Sequence, residues 1–446
     1  MKRLSQTSTL VVLTLLVLAG IFLQAGTAHA QVSLSGQNTQ PTVSQAPTSK
    51  QVVAYFTQWS IYQRNYLVKN IATSGTAAKL TVLDYAFANI SSDLQCASGD
   101  TWADYQKPFT ADQAVNGIAD TSGQALAGNF NQLKELKALY PGLKILISIG
   151  GWTWSTNFSA AASPQNVSSF VHSCIDQYIL GNQAGPGSMA GIFDGFDIDW
   201  EYPDNPGNGN PYGPQDIQNY TNLLKEFRTQ LNQVSAQTRK QYTLTIATPA
   251  GQDKYQKLQL GLDSHYVNWM DIMTYDMHGP WDATGPTDFN APLYADPHDP
   301  STPPANSYSI NHAVNDYLAA RVPANKIVVG FPIYGHGWTG VPDVNNGLYQ
   351  SSSSMQPAPA TSTAGTDDYR ILENLSGYSS YRDKTTQQYW IFNGSTFWTY
   401  DDPTTIAVKM KYVNNRGLAG AFAWSLDGDD SAGSFMNAIF NGLCRR

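Results

Sequence analysis

Eight short apolar runs, separated by longer amphipathic stretches, constrain this chain more than any other feature. They are VVAYFT (52–57), LTVLDYAFA (80–88), KILISIGG (144–151), FDGFDIDW (193–200), TLTIATP (243–249), VNWMDIMTY (267–275), KIVVGF (326–331) and LAGAFAWS (418–425). Most are nearly continuous in apolar residues, as parallel strands covered on both faces must be. The clearest helix lies between the fourth and fifth runs, over 214–238. There Ile217, Tyr220, Leu224, Phe227, Leu231 and Val234 recur at alternating three- and four-residue spacing. Further helices are expected near 129–139, 165–180, 309–321, 404–416 and 432–441. Eight strands alternating with helices predict an α/β chain folded as a (β/α)8 barrel. An open doubly wound sheet fits less well, because no glycine-rich phosphate fingerprint follows the first strand.

One connection is far longer than a barrel loop needs. From Pro332 to Pro403 there are 72 residues, where βα loops usually run to about 2–6. Within it, QYWIFNGSTFWTYD (388–401) places Asn393-Gly394 between two aromatic-rich runs, a two-residue hairpin signal. The stretch 333–402 is therefore read as a small α+β insertion on the catalytic face. The Ser- and Pro-rich tract 351–366 is read as a loose loop inside it. The barrel then comprises 50–332 and 403–446.

The N-terminus reads as an export signal. Lys2 and Arg3 precede an apolar run from Leu10 to Leu23, and Ala28-His29-Ala30 follows as a small-x-small cleavage pattern. A signal peptide over 1–30 predicts a secreted, extracellular protein with no membrane contact after cleavage. Residues 31–49 are uncharged, rich in Ser, Thr, Gln and Pro, and read as a flexible linker. Only 13 % of residues are charged, and the formal charge of −8 becomes −10 once Lys2 and Arg3 are removed. Such a surface disfavours nucleic acid and anionic membranes as partners. An aromatic content of 12 % suits stacking against neutral sugar rings. Cys96, Cys174 and Cys444 allow one disulfide at most and form no metal motif. Buried thiols without a function are the favoured reading.

Chemistry concentrates in FDGFDIDWEYP (193–203). Strand residues alternate faces, so Asp197, Asp199 and Glu201 share one face and Asp194 falls off it into a structural role. In a barrel the shared face points inward, and Glu201 lies outermost, before Pro203 stops the strand. Stacked carboxylates share protons, which lets Glu201 stay protonated near neutral pH above an ionised partner. That is a general acid. A metal site is disfavoured, since no His or Cys cluster accompanies the run, and so is a solvated loop, since Phe193, Phe196, Ile198 and Trp200 interleave the acids.

The run DGFDIDWEYP resembles the DxxDxDxE signature of the family 18 glycoside hydrolases, in particular its chitinases. LISIGGW (146–152), MTYDMHG (273–279) and GAFAWSLDGDD (420–430) resemble that family's third-, sixth- and eighth-strand motifs. The insertion falls where one chitinase subfamily carries an α+β domain. The resemblance implies a retaining, substrate-assisted hydrolase acting on chitin or chito-oligosaccharides, without cofactor or metal, and a monomer. Glu201 would protonate the glycosidic oxygen, Asp199 would steady the substrate acetamide, Asp197 would hold the proton network beneath, and Tyr275 would hold the acetamido carbonyl. Trp424, Asp276, Met273, Tyr55, Phe87, Trp152, Trp281 and Tyr202 would bind sugar, with Trp338 a weaker candidate. Neither Arg370 nor Arg382 can be chosen as an insertion-borne ligand. The resemblance also implies cis peptides at Ala86–Phe87, Glu201–Tyr202 and Trp424–Ser425. Two other functions remain open: an endo-β-N-acetylglucosaminidase acting on glycoprotein or peptidoglycan, and a non-catalytic lectin.

Overall fold

A computed structural model describes residues 42–46, 48–355 and 363–444. The expected signal peptide and most of the expected linker lie outside the described residues. Eight strands form the barrel: β1 (Gln51–Thr57), β2 (Val82–Ile90), β3 (Lys144–Gly150), β4 (Gly195–Asp199), β5 (Thr243–Pro249), β6 (Trp269–Met273), β7 (Ile327–Pro332) and β8 (Gly420–Trp424). Each pairs in parallel with the next, and β8 returns to β1, so the sheet closes. The short strand Cys96–Ser98 adds antiparallel to the end of β2.

Strand parity sorts the side chains of β4. Phe196 packs on Phe227 of the helix Asp216–Thr238 with ring centroids 5.2 Å apart. Trp200 stacks on Phe158 at 5.2 Å and meets Tyr220 at 5.8 Å. These outward residues join the strand–helix core. The inward side is a separate cluster that includes Val53, Tyr55, Ala86, Leu146, Trp269 and Phe422. Asp197 and Asp199 project into this inner layer.

The insertion after β7 is a six-stranded sheet. Its order is Ser354–Met355, Tyr334–Thr339, Thr396–Tyr400, Tyr389–Phe392 and Ser379–Arg382, with Thr366–Asp368 also pairing with Tyr334–Thr339. Trp338, Val341, Leu348, Trp390, Phe392 and Phe397 form its own core, joined by Phe289 from the barrel loop after β6. The hairpin turns on Gly394-Ser395, one residue later than expected, because Asn393 and Thr396 are the closing pair. Gly394 has φ +94°, and Asn393 Oδ1 accepts from the Thr396 amide at 2.8 Å. Residues 354–355 and 366 of the tract expected to be loose lie in strands; 356–362 lie outside the described residues.

Two expectations need correction. Cys96 and Cys174 form a disulfide, although the sequence favours separate thiols. The fold brings their Cα atoms to 5.0 Å across 78 residues, by laying the Cys96–Ser98 strand beside the helix Val167–Cys174. Cys444 is free and half-buried. The end of the expected linker is also tied down: the Val43 and Ala46 amides donate to the Leu139 and Ala78 carbonyls at 2.7 and 2.9 Å.

Insertion, loop and barrel meet at a buried ion pair. Lys409, on the helix Pro403–Asn415, donates to Asp401 at 2.6 and 2.8 Å, to the Ala291 carbonyl at 2.6 Å and to Gln388 at 3.0 Å. Neither charged side chain is solvent-exposed. Burial pushes the Asp401 carboxyl up and the Lys409 ammonium down. Asp401→Ala strands the ammonium and should cost about 3–5 kcal/mol, whereas Asp401→Leu with Lys409→Met should cost far less. Urea denaturation of the three proteins reads both values; a single variant within about 1 kcal/mol of wild type contradicts this role.

Candidate active site

The barrel interior holds a ladder of carboxylates. At its base Asp197 is satisfied by three hydroxyls: Tyr55 at 2.8 Å and Ser148 at 2.7 Å on one oxygen, and Thr245 at 2.7 Å on the other. Its neighbours on β3 and β5 are Ser148 and Thr245 themselves, so register alone supplies two of the three donors. One step up, Asp199 is buried and its Oδ1 has no hydrogen-bond donor. Glu201 follows at the rim, buried but at the open end of the strand. Its amide donates to Ser155 Oγ at 2.9 Å, and Asn210 holds its carbonyl at 3.2 Å.

The glycines of SIGG permit this arrangement. Gly150 has φ +108°, and a Cβ there would lie 2.3 Å from the Asp199 carbonyl oxygen. Gly151 has φ +79°, and its Cβ would strike the Phe87 ring at 2.6 Å. A side chain at Gly150 would push β3 away from the acid ladder, and one at Gly151 would displace Phe87. Asp194, off the ladder, takes Lys137 at 2.5 Å and the Ile145 amide at 2.9 Å, a structural role.

Burial is the main cause of each shifted pKa. It pushes Asp197 up, against the pull of its three hydroxyls. It holds Asp199 well above the usual carboxylate range, and the charges of Glu201, Asp197 and Asp271 add to it. Glu201 is raised to about 7, first by burial and then by Asp276, while Tyr202 and Lys254 pull it down. Hydroxyl donors therefore favour the anion deep in the barrel, and the proton resides above it.

Tyr275 and Asp276 follow β6. The Tyr275 ring packs against Phe422 and Tyr334, at 5.9 and 6.3 Å. Asp276 is exposed, with φ +55°, and its Oδ1 meets Tyr334 Oη at 2.7 Å and His336 Nε2 at 2.9 Å. Met273 is half-buried in the inner cluster. Trp424 is half-buried at the end of β8, stacked on Phe87 at 5.6 Å. Trp152 and Trp281 are 49 % and 57 % exposed, and Trp281 lies against His336 at 5.6 Å. The half-buried Tyr202 faces Lys254 across 5.8 Å. The three expected cis peptides are all present.

Several expected sugar contacts are placed differently. Tyr55 is 1 % exposed, so it acts through its hydroxyl on Asp197 and offers no face to a sugar. Phe87, 6 % exposed, is backing for Trp424. Trp338 is buried in the insertion core, donating to the Asp282 carbonyl at 2.9 Å. Arg370 pairs with Asp368 at 3.1 Å and Arg382 grips both oxygens of Asp402 at 2.9 and 2.8 Å. Both arginines are thus engaged within or beside the insertion.

Three site residues escape a reading of the sequence. Trp59, 39 % exposed in the turn Gln58–Ile61, lies 6.4 Å from Trp424 and extends the aromatic wall. Asp84 on β2 and Asp271 on β6 point into the barrel, and each is held well above the usual carboxylate range, by burial first and by Asp197 second. The available signal was a lone acid inside each apolar run, VLDYAFA and WMDIMTY.

The raised pKa of Glu201 makes stability depend on pH. Its contribution is fully present below the unfolded value of 4.5 and is lost as pH rises through about 7. Glu201→Gln removes this loss. Its stability advantage over wild type should therefore widen from pH 5 to pH 8, by up to about 3 kcal/mol. Thermal melts of both proteins at the two pH values check this; a gap that does not change with pH contradicts it.

Comparison with known proteins agrees with this geometry. Chitinase C of Streptomyces lividans is 39 % identical over 86 % of this chain and 58 % of its own length. Chitinase 63 of Streptomyces plicatus is 37 % identical over 94 % of this chain and 65 % of its own length. The chain thus spans about three-fifths of the length of these relatives. The catalytic domain of psychrophilic chitinase B from Arthrobacter TAD20 superposes with a TM-score of 0.83 at 36 % identity, covering 89 % of this chain and 95 % of that domain. Residues 51–429, from the first barrel strand to beyond Trp424, match the glycosyl hydrolases family 18. With the acid ladder on β4 and its glycine-bounded neighbour β3, that match shows that the chain belongs to this family.

Proposed function

We propose that this chain is a secreted chitinase, cutting β-1,4 bonds between N-acetylglucosamine units by a retaining mechanism in which the substrate's own acetamide is the nucleophile. The observation that carries the reading is the Oδ1 of Asp199, a buried acceptor with no donor, one step below Glu201, whose carboxyl burial raises to about 7. An acetamido N–H can donate to that oxygen. Glu201 gives its proton to the glycosidic oxygen as the C1–O bond breaks. The acetamido oxygen attacks C1, forming an oxazolinium ion whose N–H donates to Asp199 Oδ1, while Tyr275 Oη holds the acetamido group near C1. Glu201, now ionised, takes a proton from water as that water opens the ring at C1. Asp197 stays hydrogen-bonded below. Asp199 ends β4 and Glu201 lies two residues beyond it at the rim, which suits one to the acetamide and the other to the leaving oxygen.

Trp424 supplies a floor for the sugar at the cleavage site, with Trp59 beside it. Trp152 and Trp281 supply platforms farther out, and Asp276 and Met273 line the pocket. The chitinase names of the relatives favour chitin over glycoprotein or peptidoglycan as substrate, and the presence of Glu201 argues against a lectin.

A reducing-end assay on colloidal chitin, beside a high-mannose glycoprotein and peptidoglycan, should give product from chitin alone. Turnover should fall as pH rises through about 7 and Glu201 loses its proton. Glu201→Gln should bind chitin and lose at least about a thousandfold in kcat. Turnover within about tenfold of wild type removes Glu201 as the acid, and release from glycoprotein alone overturns the substrate.

A further inference from the structure

The chain from Thr274 to Ser309 is a 36-residue excursion whose only helix or strand is the short turn Ala305–Ser307. Loops this long need something to hold them. Away from the acid ladder, this one gathers His278, Asp288 and Asp299, with one ligand-capable atom from each lying within 4.8 Å of the others. His278 Nε2 is 3.6 Å from Asp288 Oδ2 and 3.9 Å from Asp299 Oδ2, too far for hydrogen bonds. Asp288 is 3 % exposed; its Oδ1 takes the Phe289 amide at 2.6 Å, and its Oδ2 has no donor, the side chain within hydrogen-bonding reach being the like-charged Asp299. These residues line a cavity of about 10 Å³, completed by Asp296, Tyr349 and Thr386. That is the room of one water- or ion-sized occupant.

We propose that His278, Asp288 and Asp299 bind one divalent cation, with zinc the preferred ion. Two acidic side chains facing each other in a buried cavity need a positive charge between them or a proton on one of them. An imidazole nitrogen beside two carboxylate oxygens suits a borderline metal such as zinc or manganese, whereas calcium and magnesium favour oxygen alone. The role is structural. Tyr349 and Thr386 come from the insertion, and Tyr349 donates to Asp296 at 3.0 Å. A cation here therefore ties three distant points of the loop to one another, beside the insertion residues Tyr349 and Thr386. The inference does not depend on the proposed substrate.

The test uses the full chain without a polyhistidine tag. Elemental analysis after dialysis should find one zinc per chain. Stripping with a chelator should lower Tm by about 3 °C or more, and zinc chloride should restore it, manganese chloride less so and calcium or magnesium chloride not at all. Asp288→Asn should retain no zinc and give a Tm indifferent to chelator. His278→Gln should behave alike, and serves if the first variant fails to fold. Wild type that binds no zinc, with Tm unmoved by chelator and metal, would mean that Asp288 and Asp299 share a proton instead, and would overturn the proposal. So would variants that bind zinc as wild type does, or a Tm restored by calcium alone.

Discussion

The cost of placing several carboxylates inside one barrel governs the rest of this structure. Water is largely excluded there, so every added anion raises the price of the next. Three hydroxyls on Asp197 offset that cost at a single level. Asp84, Asp199, Asp271 and Glu201 have no comparable set of donors and are driven toward their protonated forms. Stored protons beneath an open rim are what acid catalysis requires. The same arrangement carries a stability cost when pH rises, the usual trade at a functional site.

Rigidity around the ladder follows from connections made far from it. Close approach of β3 to β4 depends on Gly150, and the seat of Phe87 beside β3 on Gly151. The aromatic wall is braced by rings from three strand ends, Trp59 after β1, Phe87 in β2 and Trp424 in β8. Arg64 joins the region after β1 to Asp427 beyond β8 and to Asp368 of the insertion, at 2.5 and 2.9 Å. Together with the Lys409–Asp401 pair, this sets the insertion on the catalytic side of the barrel.

Much of this was legible in the sequence because it rests on period and order. Strand parity puts Asp197 and Asp199 on the inner face, and the apolar partners of the acids, Phe196 and Trp200, turn outward to the helices as alternation requires. The long gap before Pro403 marks the insertion. What stayed hidden depends on closure in three dimensions. Asp84 and Asp271 are single acids far apart in the chain, brought near Asp197 only when the barrel closes. Whether an aromatic residue is a platform or a strut is equally invisible: Trp338 and Tyr55 are buried while Trp59 is exposed. The Cys96–Cys174 bond and the His278 cluster likewise join residues whose spacing carries no motif.

On the proposed mechanism, Asp199 Oδ1 accepts from a substrate acetamide, and that acetamide attacks C1. Proton NMR of the first products from partly acetylated chitosan tests it most directly. Every new reducing end should be N-acetylglucosamine, released first as the β-anomer, because two inversions retain configuration. Glucosamine at the new reducing ends, or an initial excess of the α-anomer, would contradict it, since either requires an attack on C1 that the acetamide does not make.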